Sequence, residues 1–218
     1  MTRRRTQDER KDETRKRLLN AAVKILSKQG YANFRFAEVS SVSGVSRGGM
    51  IHHYPSKDAL IAGVLDYIFE RLQQRSKTKI NTNLDTPSIL QAIVESGTDF
   101  FFGPEFLIVL DLVLAARQGG PLPTTFRALA RRHRLSIEEF WAASLTAQGL
   151  DERTSKDVVG LLWSLLRGLA IRPIGTTNVE TPERTIKFAL EVVQAYITDP
   201  VRVHAAKPRK NDISSLSK

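Results

Sequence analysis

The chain has 218 residues, with 33 Lys and Arg against 23 Asp and Glu, four His and no Cys. The lack of Cys excludes disulfides and thiolate metal sites, and the histidines show no ligand spacing, so neither a metal nor another cofactor is expected. The net charge of +10 is unevenly placed: residues 1–60 hold 13 basic and 6 acidic side chains, residues 61–200 hold 15 and 16, and residues 201–218 hold 5 and 1.

A basic head on a neutral body is the distribution expected when only the head meets phosphate. The first ten residues lack the apolar region of a signal peptide, and the longest apolar run, Phe106 to Ala116, is broken by Asp111. It falls far short of the roughly 20 residues that span a bilayer. A soluble, cytoplasmic protein with no membrane partner is therefore expected. Residues 1–13, with Arg3-Arg4-Arg5, are expected to be a disordered basic arm.

A first helix includes Leu18 to Leu26 and leaves through Gln29-Gly30-Tyr31. The spacing then predicts a short helix over Phe36 to Ser43, with Val39 and Val42 facing inward. Gly44 supplies the backbone freedom required past its end, and Val45 plugs the turn. Ser46 stands where an N-cap belongs, and Arg47, Gly48 and Gly49 open a second short helix that ends near Tyr54-Pro55. Two short helices joined by a tight turn form a helix-turn-helix, whose second helix enters the major groove with its N-terminal residues on the bases.

Ser56 caps a long fourth helix to about Thr78, with Leu60, Val64, Tyr67 or Ile68, and Leu72 at helical spacing. After the polar connector Lys79 to Asp85, Thr86-Pro87 opens a fifth helix that stops at Gly103-Pro104. A sixth spans Glu105 to Gln118, and a seventh follows Gly119-Gly120-Pro121 and carries through to Gly149. An eighth runs from about Thr154 to Arg172, and a ninth from Thr181-Pro182 to before Pro200. The basic tail, 201–218, is expected to be disordered. No alternating strand pattern appears, so the fold expected is all-α with about nine helices: a helix-turn-helix domain over 14–60 and a helical domain over 61–200.

Gly44, Val45, Ser46, Gly48, Met50, Ile51, His53, Tyr54, Ser56, Lys57 and Leu60 occupy the places of a known signature. In this region, and in Leu18 to Tyr31 upstream, the chain resembles the TetR family of bacterial one-component regulators over about residues 14 to 65. Two positions depart from the pattern: Phe34-Arg35-Phe36 replaces the usual Thr or Ser cap of the second helix, and Ile51 replaces a phosphate-binding Tyr. The resemblance implies a homodimer held by the last two long helices, with two reading heads about 34–36 Å apart on a pseudo-palindromic double-stranded operator.

Arg47 is the candidate base reader, because a guanidinium bridges O6 and N7 of guanine. Gly48 and Gly49 permit close approach, while Ser46, His52, His53, Ser56 and Lys57 are assigned to phosphates. Arg35 joins this DNA-facing set. His53 and Lys57 stand at family-matched positions; His52 does not.

For an effector pocket the candidates are Phe100, Phe106, Trp141 and Trp163, with two charges embedded in apolar runs, Asp111 and Arg167. Unpaired charges there are costly, so each must pair, reach solvent or meet a ligand; Arg167 suits an anionic group and Asp111 a cationic one. The stripes Val158, Leu162, Leu166 and Leu169, and Ile186, Leu190, Val193 and Ile197, face either a partner subunit or their own core by periodicity alone. The resemblance favours the partner.

Gly44-Val45-Ser46-Arg47-Gly48 also satisfies the G-x-S-x-G pattern of a hydrolase nucleophile elbow, which needs a buried strand before the Ser. Glu38 to Ser43 is half polar with helical spacing, so no catalytic residue is assigned. The function expected is a repressor that leaves its operator when a small molecule of unknown identity occupies the helical core. The alternative is a constitutive DNA-binding protein without an effector.

Overall fold

The computed structural model describes residues 6–80, 84–117, 119–120, 122–171 and 182–199. Among these residues the chain forms nine α-helices and no strand: α1 (Gln7–Gln29), α2 (Phe36–Ser43), α3 (Arg47–His53), α4 (Lys57–Lys79), α5 (Thr86–Phe101), α6 (Pro104–Ala115), α7 (Thr125–Thr146), α8 (Glu152–Ile171) and α9 (Pro182–Thr198). The tail 201–218 lies outside the described residues.

α1 starts well before the expected end of the basic arm. Thr6 and Glu9 form a capping box: the Thr6 hydroxyl accepts from the Glu9 N–H at 3.2 Å, and the Glu9 carboxylate accepts from the Thr6 N–H at 2.8 Å. Asp8 and Glu9 also complement the positive helix end, so residues 7–13 are helical rather than disordered. Gly44 adopts φ 63° and ends α2 in the left-handed region, where a side chain would be strained. Val42 is 43% exposed, against the inward position expected. The inner face of α2 is centred on Phe36, Val39, Ser40 and Ser43, with the Ser40 hydroxyl turned in to donate to the Val45 carbonyl at 2.6 Å. That leaves Val42 about 100° from the centre of the buried face.

The later boundaries shift by one to three residues for local reasons. Asp85, not Thr86, caps α5, accepting from the Ser88 N–H at 3.0 Å. α6 stops at Ala115, whose carbonyl accepts from the Leu122 N–H at 3.0 Å as the chain reverses. α8 opens at Glu152 because the Asp151 carboxylate accepts from the Thr154 N–H at 2.9 Å. Arg172, the expected end of α8, and Thr181, the expected opening of α9, lie outside the described residues.

One continuous core joins head and body through α4. Leu60, Ile61, Val64, Leu65, Ile68 and Leu72 on that helix are each 1% exposed or less. They share one buried cluster with Leu18, Ala22, Val39 and Met50 of the head and with Leu90, Ile93, Trp141 and Trp163 of the body, and α4 packs directly on α1, α5 and α7. Gly63 allows the closest approach: a Cβ there would come within 2.7 Å of the Tyr54 ring. The last residue of the head's turn therefore seats directly on α4.

Candidate nucleic-acid interface and core cavity

α3 is built by its cap. Ser46 Oγ accepts from the Gly49 N–H at 3.2 Å, which satisfies one of the four free amides at the helix start and orients the first turn outward. Arg47 and Gly48 are exposed there, and no atom lies within 4 Å of a Cβ placed on Gly48. The opposite face of α3 is anchored by Met50, 1% exposed, and by Tyr54, whose hydroxyl accepts from Arg15 Nε at 3.1 Å. Ile51, at the place of the family's Tyr, is 42% exposed.

The end of α3 is dense in positive charge. His52 and His53 meet edge to face at 5.5 Å, with Lys11 and Arg15 of α1 nearby. Burial pushes the His53 imidazole below its ordinary value, and His52, Lys11 and Arg15 push it further down. Such a site gains from an approaching anion. Ser56 accepts from the Ala59 N–H at 3.1 Å to cap α4. Lys57, the first residue of α4, lies with Nζ 4.1 Å from the centre of the Tyr31 ring and 5.6 Å from that of Phe34. Burial lowers its ammonium from the usual lysine value. Arg35 is exposed at the start of α2, where it provides no side-chain cap. The head thus presents Arg35, Arg47, His52, His53 and Lys57 together with two helix N-termini.

The body contains a cavity of about 460 Å³, in the usual range for small-molecule sites. Phe69 of α4, Phe100 and Phe101 of α5, Phe106, Val109, Leu110 and Val113 of α6, and Trp163 of α8 form the apolar wall. The rings pack edge to face, with Phe101 at 5.0 Å from Phe106 and 5.4 Å from Trp163. Arg127, Arg131 and Arg134 of α7 and Arg167 of α8 also line it.

Phe100, Phe106, Trp163 and Arg167 are therefore in the wall, whereas Trp141 and Asp111 are not. The cavity takes residues 124–134 of α7, and Trp141 lies two turns beyond Arg134, fully buried in the packing. On α6 the wall follows the spacing 106, 109, 110, 113, which puts Asp111 about 140° round the helix. Its carboxylate instead accepts from the Tyr31 N–H at 2.6 Å, where the chain leaves α1. Phe69 and the three α7 arginines are wall residues that sequence reasoning missed. Their i, i+4, i+7 spacing was visible, but on an amphipathic helix it reads as a solvated face.

Residues 18–64 match the family profile of bacterial regulatory proteins, tetR family. Over 191 residues the chain is 32% identical to the HTH-type transcriptional regulator CymR of Pseudomonas putida, covering 88% of this chain and 94% of that protein. The chain belongs to the TetR family. It is also 28% identical over 177 residues to the HTH-type transcriptional regulator UidR of Escherichia coli K12, covering 81% of this chain and 87% of UidR. The fold agrees with a transcriptional regulator from Rhodococcus sp. Rha1, at a TM-score of 0.65 and 20% identity over 85% of this chain and 96% of that one.

As a TetR-family member the protein is a DNA-binding transcriptional regulator, not an enzyme. The hydrolase pattern at Gly44 to Gly48 is accounted for by the turn itself: the residues before it are helix α2, and Ser46 caps α3. Among the described residues no helix is long and apolar enough to cross a membrane.

The stripes expected on a partner face are partly spent inside the single chain. Val158, Leu162, Leu166 and Val193 are each 4% exposed or less within a single chain, and Leu169, Ile186, Leu190 and Ile197 are half-buried. α8 packs against α5 and α7, and that packing consumes its strongest apolar stripe. The large apolar side chains left outward on α8 and α9 are Leu161 at 57%, Ile171 at 38%, Phe188 at 65% and Val192 at 49% exposure. A Cβ on Gly160 or Gly168 would meet open space, so neither glycine serves a contact inside the chain.

Proposed function

We propose that this TetR-family protein is a cytoplasmic repressor that binds a pseudo-palindromic operator as a homodimer and leaves it when a small molecule enters the core cavity. Residues 14–60 form the reading head, and residues 61–200 the effector-binding and dimerisation domain. Arg47 reads a base edge, and Ser46, His52, His53, Ser56 and Lys57 hold phosphates, with Arg35 and the two glycines Gly48 and Gly49 on the same face. Leu161, Phe188 and Val192 form the centre of the dimer face. The observation that carries this reading is the double duty of α6: Phe106, Val109 and Val113 line the cavity, and Asp111 on the same helix holds the Tyr31 amide of the head.

A ligand shifts an equilibrium only by its difference in affinity for two states, and a hundredfold loss of operator affinity needs about 2.7 kcal/mol of such difference. Reciprocity requires the operator to weaken effector binding by the same factor. The test is to find operator fragments by selection from random DNA, then titrate each stabilising compound with and without the bound fragment. Equal affinity in the two titrations would show a cavity without a switch.

A further inference from the structure

The cavity wall is unusual in its charge. Four guanidinium groups line it, and no Asp or Glu is among its lining residues. Glu138, the acid beside Arg134 and Arg167, is already engaged: both its oxygens accept from Arg134 Nη1, at 2.7 and 2.8 Å. Arg167 reaches the same carboxylate only at 3.9 Å, too long for a hydrogen bond. Its guanidinium lies 5.5 Å from the Phe101 ring centre, half-buried, with five donors and no hydrogen-bond acceptor seen among the described residues. Burial, with Arg134 as a positive neighbour, holds it below the ordinary arginine value, so the charged form is under-compensated where it stands.

The four arginines are graded in depth. Arg127 and Arg131, one turn apart on α7, are exposed, and no ion pair is seen for either among the described residues; Arg134 and Arg167 lie deeper. On α8, Trp163 is one turn before Arg167 and shares its face; its indole N–H is buried without an acceptor. Apart from Thr124 the rest of the lining is apolar, Phe69, Phe100 and Phe106 included. Such a site pairs one anionic end with one apolar body. The planar fork of a single guanidinium matches the two oxygens of a carboxylate, whereas a dianion would bring more hydration than this deep position has donors to replace.

We propose that the effector is a hydrophobic monocarboxylate, its apolar body against the phenylalanine wall and its carboxylate on Arg167, with Arg127 and Arg131 drawing it to the mouth. This rests on the effector-responsive reading above and names the chemistry that operates it.

The test uses the full-length protein and three matched series: aryl and alkyl acids such as 2-naphthoate, 4-phenylbutyrate, octanoate and decanoate, then the primary amides and the amines on the same carbon skeletons. Thermal unfolding reports binding, and operator anisotropy reports release. The expected result is that acids of one skeleton type stabilise the protein and release operator, with the matched amide about 10- to 100-fold weaker. The aryl and alkyl arms identify the source. Arg167→Met should erase the difference between acid and amide, and Arg167→Lys should restore part of it. Because the acid–amide comparison is made on the unaltered protein, it stands even if the variants fold poorly. Amides or amines that bind as well as the acids overturn the carboxylate assignment, while release by those compounds leaves the switch intact. If no compound of any series binds, the carboxylate assignment and the effector-responsive reading fall together.

Discussion

Asp111 on α6 accepts the backbone N–H of Tyr31 at 2.6 Å, a contact between residues 80 apart in sequence. Lys57, at the first turn of α4, lies over the ring of that same Tyr31. One residue thus stands between the helix that lines the cavity and the start of α4, where a phosphate contact is proposed.

Removing the acceptor should separate the two. Asp111→Ala leaves a partly buried N–H unpaired, with an expected loss of about 1–3 kcal/mol of stability. It should also shrink the ratio of operator affinities without and with effector. Asp111→Asn, which keeps a carbonyl acceptor, should retain most of both. Urea unfolding and paired operator titrations measure the two effects; an unchanged ratio in Asp111→Ala would mean that head and cavity communicate by another route.

Arg47→Ala should reduce specific operator binding by about 1–3 kcal/mol and leave non-specific binding nearly intact, because a base contact carries sequence information. Lys57→Ala should weaken binding to all sequences alike and lower the salt slope by about one. It should also cost about 0.5–1 kcal/mol of stability through the lost contact with Tyr31. Anisotropy titrations on operator and random duplex across salt concentrations distinguish them. Equal losses on both duplexes for Arg47→Ala would remove it as the reader.

His53 should make operator binding depend on pH. In the free protein, burial first and then the neighbouring His52, Lys11 and Arg15 hold its imidazole below the ordinary histidine value. The depressed folded value favours folding above the unfolded pKa, and that contribution is lost as pH falls through the folded pKa. A phosphate beside the ring reverses the bias and raises the pKa in the complex. Binding should therefore take up a proton, with affinity rising as pH falls through the complexed value. His53→Gln should flatten that slope between pH 7.5 and 5.5, measured against the same duplex at fixed ionic strength. A slope unaltered in His53→Gln assigns the proton elsewhere.

Two charge insertions on α9 should behave differently. Phe188→Glu, at a 65% exposed site, should yield folded monomers, whereas Val193→Glu, at 3% exposure, should unfold the chain by burying an unpaired charge. Sedimentation and circular dichroism report the two outcomes. A Phe188→Glu protein that remains dimeric would move the interface off this face.

The head was legible in the sequence because its determinants are local. A left-handed Gly44, a Ser46 cap and a Ser56 cap act within four residues of themselves, and each stands where the pattern put it. The capping box of α1 is equally local, yet Thr6 and Glu9 sit in a charged run whose composition suggested disorder. The body was legible as helices but not as faces. An apolar stripe does not reveal which neighbour it meets, and so Val158, Leu162 and Leu166 turned out to pack inside their own chain. A charge in an apolar run, likewise, does not reveal its side: Arg167 lines the cavity, and Asp111, placed in an equally apolar run, faces the head.

The 23 residues of α4 make a rod about 34 Å long, with buried side chains from Leu60 to Ser76, and stiffened by its own hydrogen bonds. Tilted by about 5°, such a rod carries its far end through about 3 Å. In a twofold dimer the two excursions add, giving about 6 Å against the roughly 34 Å between successive faces of the duplex. The gearing multiplies distance and divides force in the same ratio, so an occupant of the cavity need move its wall by only a fraction of an ångström but must do so stiffly. A bulky, rigid body pressed between Phe69 and Phe106 drives such a rod, and a limp one of equal affinity fills the space and leaves the heads where they were.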